Sequence, residues 1–451
     1  MFTVARGTEI TPLLMSKYIQ LHNKGLTRMN LLHDYFLGKH RILNRIKAAK
    51  QANNKLVINR AKYTTLIASG YMCGNAVTYS SKSNQNLDDL NSWIESSEAA
   101  TQDMDIATDQ SIFGVAYELA YVGEGDDENT VLKLSTIDPR NAFVVYENNV
   151  TYKPVAACYY YEIHSIEDQQ IIGYDCTVIT DKIKYDFKLN QNYVINSDVT
   201  ESVNEFGMIN LFEVYNNKET QGDYEQAITL IDAYDILMSD RVNDKEQFVD
   251  ALMVLKGQTF GDTSEERADM FGDLMDNKFI ELDENGELSY LTRQFDEGSV
   301  EILRKAIVED ISLVTCVPQM IDENFSGNAS GVALSYKFFP LDQVIKCKEK
   351  YFKECLKNRL RLYNRFRQLA GQPLLELSDI KIRFKHVLPK NSLEEAQKAS
   401  MLAGVIPAKD NISQLSFIDD PEAAAEEMEK QKEKEREQFI SSPLLPEGDD
   451  E

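Results

Sequence analysis

The hydrophobic pattern changes its period twice along this 451-residue chain. Between residues 111 and 215, short runs of aromatic and β-branched side chains alternate with Gly, Asn and Asp turns, which is the period-two pattern of β-strands. On both sides of this region, apolar residues return at the three- and four-residue spacing of amphipathic helices. A strand-rich, largely antiparallel module between helical regions predicts an α+β fold.

Three helical stretches follow the strands. They cover residues 223–257, 299–316 and 332–370, and each keeps an apolar stripe along its length. The first is more than 30 residues long, well above the mean for globular proteins. The first two flank a short insert, in which Asn285-Gly286 predicts a hairpin turn. This arrangement favours an elongated, assembly-forming shape, although a plain antiparallel pair in a globular core is an alternative.

A glycine-punctuated polar loop joins the last two helical stretches. Gly327 and Gly331 permit a left-handed backbone, and Ser330 can cap a helix that starts near Val332. The segment lacks the Gly-Lys-Ser/Thr ending of a phosphate-binding loop, so a triphosphate site is not expected. We expect a mobile loop that ends sharply at the helix.

In its context, this loop resembles a segment of the portal proteins of tailed bacteriophages, in the branch typical of long-tailed phages of Gram-positive hosts. In that family an SGxASGxAL-like segment joins a channel-lining loop to a long helix. The resemblance extends from about Leu31 to about Glu437 and includes the run LIDAYDILMSDRVNDKEQFVDALMVLKG; one departure is Asn210, where the family usually has proline. The loop residues that carry the match are Phe325, Ser326, Gly327, Asn328, Ala329, Ser330, Gly331, Val332, Ala333 and Leu334, with Pro340 and Leu341 after them.

The resemblance implies a portal fold with a fixed order of parts along the chain. These parts are an N-terminal helical part of the wing (1–110), a strand-rich wing (111–222), a first stem helix (223–257), a small α/β clip (258–298), a second stem helix (299–316), a channel loop (317–331), a long wing helix and strand (332–388), a helical crown (389–440) and a disordered acidic tail (441–451).

The resemblance also implies which residues act. The channel loop would present Asn324, Phe325, Ser326, Gly327, Asn328, Ala329, Ser330 and Gly331 to double-stranded DNA. The clip would contact its partners through Asp283, Glu284, Asn285 and Gly286. No catalytic residue, cofactor or metal is expected.

Charge is distributed unevenly, although the formal net charge is −25. Residues 1–62 hold 12 Lys or Arg against 2 Asp or Glu, residues 337–390 hold 14 against 5, and residues 419–451 hold 4 against 13. Such an acidic chain is a poor candidate for tight nonspecific DNA binding. Opposite patches suit head-to-tail contacts in a ring, but solvated helix faces explain them equally well. For the basic face of the helix at 332–370, we favour contact with an acidic protein surface.

Two groups of residues suggest metal chemistry, and each has a plainer explanation. Asp103, Asp105 and Asp109 could serve a divalent-metal nuclease. Because i and i+2 point apart on a helix predicted from Leu87 to Ala107, we favour a solvated acidic face. His33 and His40 have no third ligand nearby and are interpreted as helix-surface histidines.

Cysteine spacing and hydropathy indicate where the protein folds. The six cysteines form no C-x-x-C pair and predict a reduced compartment. No apolar run approaches the length of a membrane span and no signal-peptide pattern opens the sequence, so we expect neither secretion nor membrane insertion.

The resemblance implies a portal protein rather than an enzyme. A ring of identical subunits, like the dodecamers of that family, would occupy one capsid vertex and conduct double-stranded DNA during packaging and ejection. Its partners would be terminase, the major capsid protein, scaffold and a head-completion or adaptor protein, with assembly in the host cytoplasm and residence in the virion. A divalent-metal nuclease and another head–tail connector ring are the alternatives.

Overall fold

The computed structural model describes residues 2–48, 51–124, 130–249, 252–256, 263–277, 287–291, 297–320, 331–386 and 392–413, with short pieces between 415 and 434. Helices and sheets are mixed, as the change of period predicts. The chain forms two compact units: the first comprises Met1–Gln319 and Pro340–His386, and the second comprises Met320–Phe339 and Val387–Glu451.

The described helices are α1 (Pro12–Gly25), α2 (Thr27–Phe36), α3 (Arg60–Cys73), α4 (Asp88–Ser96), α5 (Ala99–Phe113), α6 (Ile228–Val249), α7 (Ser264–Asn277), α8 (Glu297–Thr315), α9 (Gly331–Leu369), α10 (Ser392–Leu402) and α11 (Ala408–Ile412). The described strands are β1 (Phe2–Val4), β2 (Thr78–Ser81), β3 (Val115–Glu124), β4 (Thr130–Ile137), β5 (Ala142–Glu147), β6 (Pro154–His164), β7 (Ile171–Ile179), β8 (Ile183–Asn190), β9 (Thr200–Val203), β10 (Leu211–Tyr215), β11 (Leu252–Lys256), β12 (Glu287–Leu291) and β13 (Ile380–Arg383).

A six-stranded sheet forms the larger part of the strand-rich region. Its order is β1-β5-β6-β7-β8-β9, with β1 parallel to β5 and the remaining neighbours antiparallel. Helix α1 buries Met15 and Ile19 against alternate residues of the sheet, among them Cys158 and Val178. Since every second side chain of a strand faces the same side, this packing accounts for the period-two pattern.

A second sheet, in the order β10-β3-β4, joins the strands to the helices. Gly114 lies between α5 and β3 at φ +83°, and a Cβ atom there would be 2.1 Å from the carbonyl oxygen of Thr220, so this turn requires glycine. Asn210 precedes β10, and its Nδ2 donates to the carbonyl oxygen of Ala120 at 2.6 Å. A proline at that position could not make this bond.

The helix predicted from Leu87 to Ala107 is two helices. Glu98 separates α4 from α5 with a left-handed backbone at φ +51°. The indole of Trp93 donates to the carbonyl oxygen of Leu132 at 2.7 Å and stacks on Tyr363 with ring centroids 4.4 Å apart. This contact between distant segments sets the direction of α4.

Helix α6 is shorter than the heptad pattern predicts. It follows a 3-10 turn at Glu225–Ala227 and ends at Val249, because Leu252–Lys256 forms a strand paired with Glu287–Leu291. An apolar run such as LMVLK fits a helix stripe and a strand alike, and the distant partner strand decides between them. The hairpin turn expected at Asn285-Gly286 lies outside the described residues.

Helix α9 has 39 residues and contains Pro340 without ending there. Its apolar stripe, including Leu341, Phe352 and Leu356, is buried as predicted. Strand β13 then pairs antiparallel with β2, which joins residues about 300 positions apart in the sequence.

Candidate functional site

Most residues predicted to act lie outside the described part of the chain. This applies to Asp283–Gly286 of the clip and to Asn324–Ser330 of the channel loop. Gly331 is the first residue of α9, close to the predicted helix start. The roles of all these residues therefore stay predictions.

The first residues of the predicted channel loop (317–331) are held by hydrogen bonds within the first unit. Helix α8 ends at Thr315, and Tyr63 of α3 donates its hydroxyl to the carbonyl oxygen of Pro318 at 3.0 Å. The side-chain amide of Gln319 donates through Nε2 to the carbonyl oxygen of Val308 at 2.9 Å. The predicted loop therefore starts from a defined backbone position.

An extended segment of the N-terminal region runs along α6. Asp235, Ser239 and Asn243 stand one helical turn apart, and their side-chain oxygens accept the backbone N–H groups of Ile58, Leu56 and Asn54 at 3.0, 2.9 and 2.7 Å. Four helical residues rise about 6 Å, and two extended residues span about 6.6 Å, so the two spacings match. Helix side chains thus satisfy alternate backbone donors of the extended segment.

His40 lies at the end of this contact. Its Nδ1 is 2.5 Å from Asp235 Oδ2, its Nε2 is 3.1 Å from the carbonyl oxygen of Tyr35, and its ring stacks on that tyrosine. The side chain is buried, so the interpretation of His40 as a helix-surface histidine is wrong. A histidine buried against a carboxylate fixes the start of the extended segment.

Much of the basic N-terminal region is paired within the chain. Four of its cations contact acids of the 3-10 turn and α6. For these four residues, neither a solvated face nor a contact with another subunit is needed to explain the charge. The pairs are Arg28–Glu225 at 2.5 Å, Arg41–Asp232 at 3.1 Å, Arg45–Asp240 at 2.8 Å and Lys47–Asp240 at 2.9 Å.

Helix α9 carries cations in the protein interior. Arg359 is fully buried and contacts Glu118 and, at 2.7 Å, Asp103. Lys348 is buried against Asp223. The assignment of the basic residues of this helix to an outward face is therefore wrong for these positions, because buried charges require buried partners.

These interior cations lie on the same side of α9 as its buried apolar residues. Phe352, Leu356, Arg359, Tyr363 and Arg367 recur at three- and four-residue spacing, and all five are buried. The spacing can be read from the sequence. The acids that pair with these cations cannot, because they are distant in the sequence. Arg367, for example, contacts Asp89 at 3.0 Å across 278 residues.

The three aspartates of the nuclease alternative lie in different environments. Asp103 is buried, whereas Asp105 on the same helix is exposed, so the expectation of a solvated face is wrong for Asp103. Burial raises the pKa of Asp103, Arg359 opposes that shift, and Glu118 adds to it. Burial also raises the pKa of Asp109. A metal ligand set needs carboxylates that converge, whereas Asp103 is paired with Arg359 and Asp105 is exposed.

Helix α8 is apolar on two opposite sides. Val308, Ile311 and Thr315 are buried in the core. On the opposite side Ile302 is 72% exposed and Leu313 is 76% exposed. These exposed apolar side chains form a stripe that the core of this chain does not cover.

A polar network accompanies α8 where it packs against α6. Glu301 lies 2.6 Å from Arg304 and 3.2 Å from Arg241 of α6. Hydrogen bonds from Arg304, with a smaller contribution from Arg241, lower the pKa of Glu301 to about 2. The two helices are therefore held by an ionised pair at all physiological pH values.

Within the described residues, no helix is both long and apolar enough to cross a membrane, and no cluster of three or more His, Cys, Asp or Glu side chains has a metal-binding arrangement.

Comparison with known proteins identifies the family. The chain is 24% identical over 393 residues to the portal protein of Clostridium phage phiCD119, with 83% of this chain and 84% of that protein covered. A solved structure described as the neck of an empty GTA particle computed with C6 symmetry aligns with a TM-score of 0.45 and 11% identity, over 79% of this chain and 90% of that chain. The family model of SPP1 Gp6-like phage portal proteins matches residues 15–438. The chain therefore belongs to the phage portal protein family.

Proposed function

We propose that this protein forms a ring of identical subunits at one vertex of a phage head and conducts double-stranded DNA during packaging and ejection. Family membership over residues 15–438 supports the portal role, and packaging and ejection of the genome are typical of that family. The family is a structural component of the particle, which also favours a conduit over an enzyme.

The observation that carries self-assembly is the second apolar side of α8. Ile302, Ala306 and Leu313 follow i, i+4 and i+11 spacing on the exposed side, with Leu303 and Val314 beside them. Burial of each Leu- or Ile-sized side chain is worth about 1.5–3 kcal/mol. In a ring of identical subunits, the neighbouring subunit would cover this side of α8 in each copy.

The passage of DNA depends on the predicted channel loop. Asn324, Phe325, Ser326 and Asn328 offer short, neutral contacts, whereas a chain with a net charge of −25 repels phosphate. A neutral loop within acidic walls would contact DNA without holding it. Gly327 and Gly331 would allow that loop to change conformation.

Docking is assigned to the remaining predicted parts. Asp283, Glu284, Asn285 and Gly286 of the clip would face terminase during packaging and the head-completion or adaptor protein afterwards. The major capsid protein and scaffold would contact the wing and crown as the ring assembles in the host cytoplasm, and the ring would then remain in the virion.

The assembly proposal is tested by native mass spectrometry and negative-stain electron microscopy. The unmodified protein is expected to give rings with an axial hole. Leu313→Glu should shift the population towards monomers without unfolding them, because position 313 is already exposed in the single chain.

Ile166→Glu is the matched control, since Ile166 is 95% exposed in the turn between β6 and β7. Rings that persist in Leu313→Glu, or that are lost equally in both variants, would contradict assembly through α8. A stable monomer of the unmodified protein at high concentration would contradict the ring itself.

A further inference from the structure

A basic groove of about 400 Å³ lies between the middle of α9 and the segment that leads into β13, within the first unit. Leu360 and Ile380 are buried at its base. Its cationic side chains are Lys82, Lys353, Lys357 and Arg361. None of the described side chains that line the groove is an Asp or a Glu.

The cations of the groove differ from the buried cations of α9. Lys357 and Arg361 share the exposed Glu354 at 3.3 Å each. Exposed pairs of this kind contribute about 0–1 kcal/mol. Another carboxylate can therefore replace Glu354 at little cost.

One edge of β13 is open beside the groove. The strand pairs with β2 in a two-stranded sheet, and among the described residues no strand pairs with its other edge. An open edge offers backbone donors and acceptors to an extended peptide. The groove thus combines cations, an apolar base and strand-like hydrogen-bonding groups.

We propose that this groove binds residues 443–451 of a neighbouring copy of the chain; the inference rests on the ring of the proposed function. The segment reads PLLPEGDDE and lies outside the described residues. It holds the apolar pair Leu444 and Leu445 and four acids, with no Lys or Arg. Its two prolines favour an extended backbone at the residues before them.

The segment matches the groove in charge and also in the order of its residues, because its leucines are followed by acids as the apolar base of the groove is followed by cations. A leucine side chain placed over Leu360 and Ile380 would put the acids of residues 447–451 within reach of Lys357 and Arg361. The acidic residues 422–437, in contrast, alternate with lysines and an arginine of their own. A DNA backbone could pair with the cations but has no apolar group for the base of the groove.

Zero-length cross-linking of the full chain tests this inference. Isotope-labelled and unlabelled protein are mixed, assembled and treated with a carbodiimide, and the links are identified by mass spectrometry. Links between Lys353 or Lys357 of one copy and the acids of residues 447–451 of the other are expected. The double variant Lys357→Glu with Arg361→Glu removes the Lys357 amine, so the Lys353 link is the readout, and its yield should fall about tenfold, a change equivalent to about 1.4 kcal/mol of binding.

Lys182→Glu is the control, because Lys182 is exposed in the turn between β7 and β8 and lies outside the groove. Rings in which these links are absent, occur only within one copy or persist in the double variant would overturn the inference and leave the ring intact. Monomers without mixed links would overturn both proposals. Loss of duplex binding by fluorescence anisotropy in the double variant, without mixed links, would assign the groove to DNA instead.

Discussion

The backbone N–H of Leu56 donates to Ser239 Oγ at 2.9 Å, across 183 residues of sequence. Ser239 is fully buried in the middle of α6. The same relationship repeats one turn away on either side, where Asp235 and Asn243 accept from the backbone. An isolated helix has no such partner, so this side of α6 is complete only when the extended segment lies against it.

Removal of the Ser239 hydroxyl should therefore destabilise the protein. Ser239→Ala removes the acceptor of the part-buried Leu56 N–H, at an expected cost of about 0.5–1.5 kcal/mol. Urea unfolding measures the change, and Ser202→Ala on the exposed strand β9 is the control. Equal stability of the two variants would show that the contact adds nothing.

Replacement of Arg359 should have a larger effect. Arg359→Met leaves Asp103 and Glu118 buried without a cation, at an expected cost of about 3–5 kcal/mol. Arg359→Lys keeps the charge but lacks the planar guanidinium group that contacts both acids. Its stability should therefore lie between those of the unmodified protein and Arg359→Met. Arg361→Met, at an exposed position on the same helix, is the control. Thermal unfolding decides the order, and a stable Arg359→Met variant would refute the role of this cation.

Asp109→Asn should stabilise the folded protein most at high pH. Burial raises the pKa of Asp109 well above the ordinary value, Asp138 and Asp105 add to the shift, and Arg140 opposes it. The folded chain therefore keeps this proton to a higher pH than the unfolded chain, and the contribution of the group to stability falls as pH rises above the ordinary carboxyl pKa.

The asparagine amide imitates the protonated acid. The variant should melt above the unmodified protein at about pH 8, and the difference should shrink towards about pH 4. The exposed Asp198→Asn serves as the comparison. A difference that grows as pH falls would mean that the carboxylate is stabilised, not penalised, in the fold.

Variants of the predicted channel loop should separate assembly from DNA passage. Asn328→Glu adds a negative charge towards phosphate, and Gly327→Pro restricts the backbone. Both should leave rings intact in electron microscopy and reduce the DNA retained in packaged heads. Asn192→Glu, on an exposed turn, gives the effect of the same charge change elsewhere. Normal packaging by both loop variants would remove the loop from the mechanism.

Local patterns identified much of the architecture. Asn59 caps α3, as its position before an apolar helix predicts, with its side chain accepting from the Lys62 N–H. The period-two runs correspond to strands β3 to β10, and the stripe of α9 is buried. The loop motif and the order of segments indicated the portal family, which the family match over residues 15–438 confirms.

Contacts between distant segments decided the rest. Leu252–Lys256 is a strand because Glu287–Leu291 pairs with it, and His40 is buried because Asp235 lies beside it.

The cations of α9 also show the difference between local patterns and contacts between distant segments. The sequence by itself determined where helices and strands can form, since their periods depend on neighbouring residues. Only the tertiary structure decided which charges are interior, because Arg359 meets Glu118 across 241 residues and an identical arginine two positions later remains in solvent. Burial of a charge depends on a partner that no local pattern specifies.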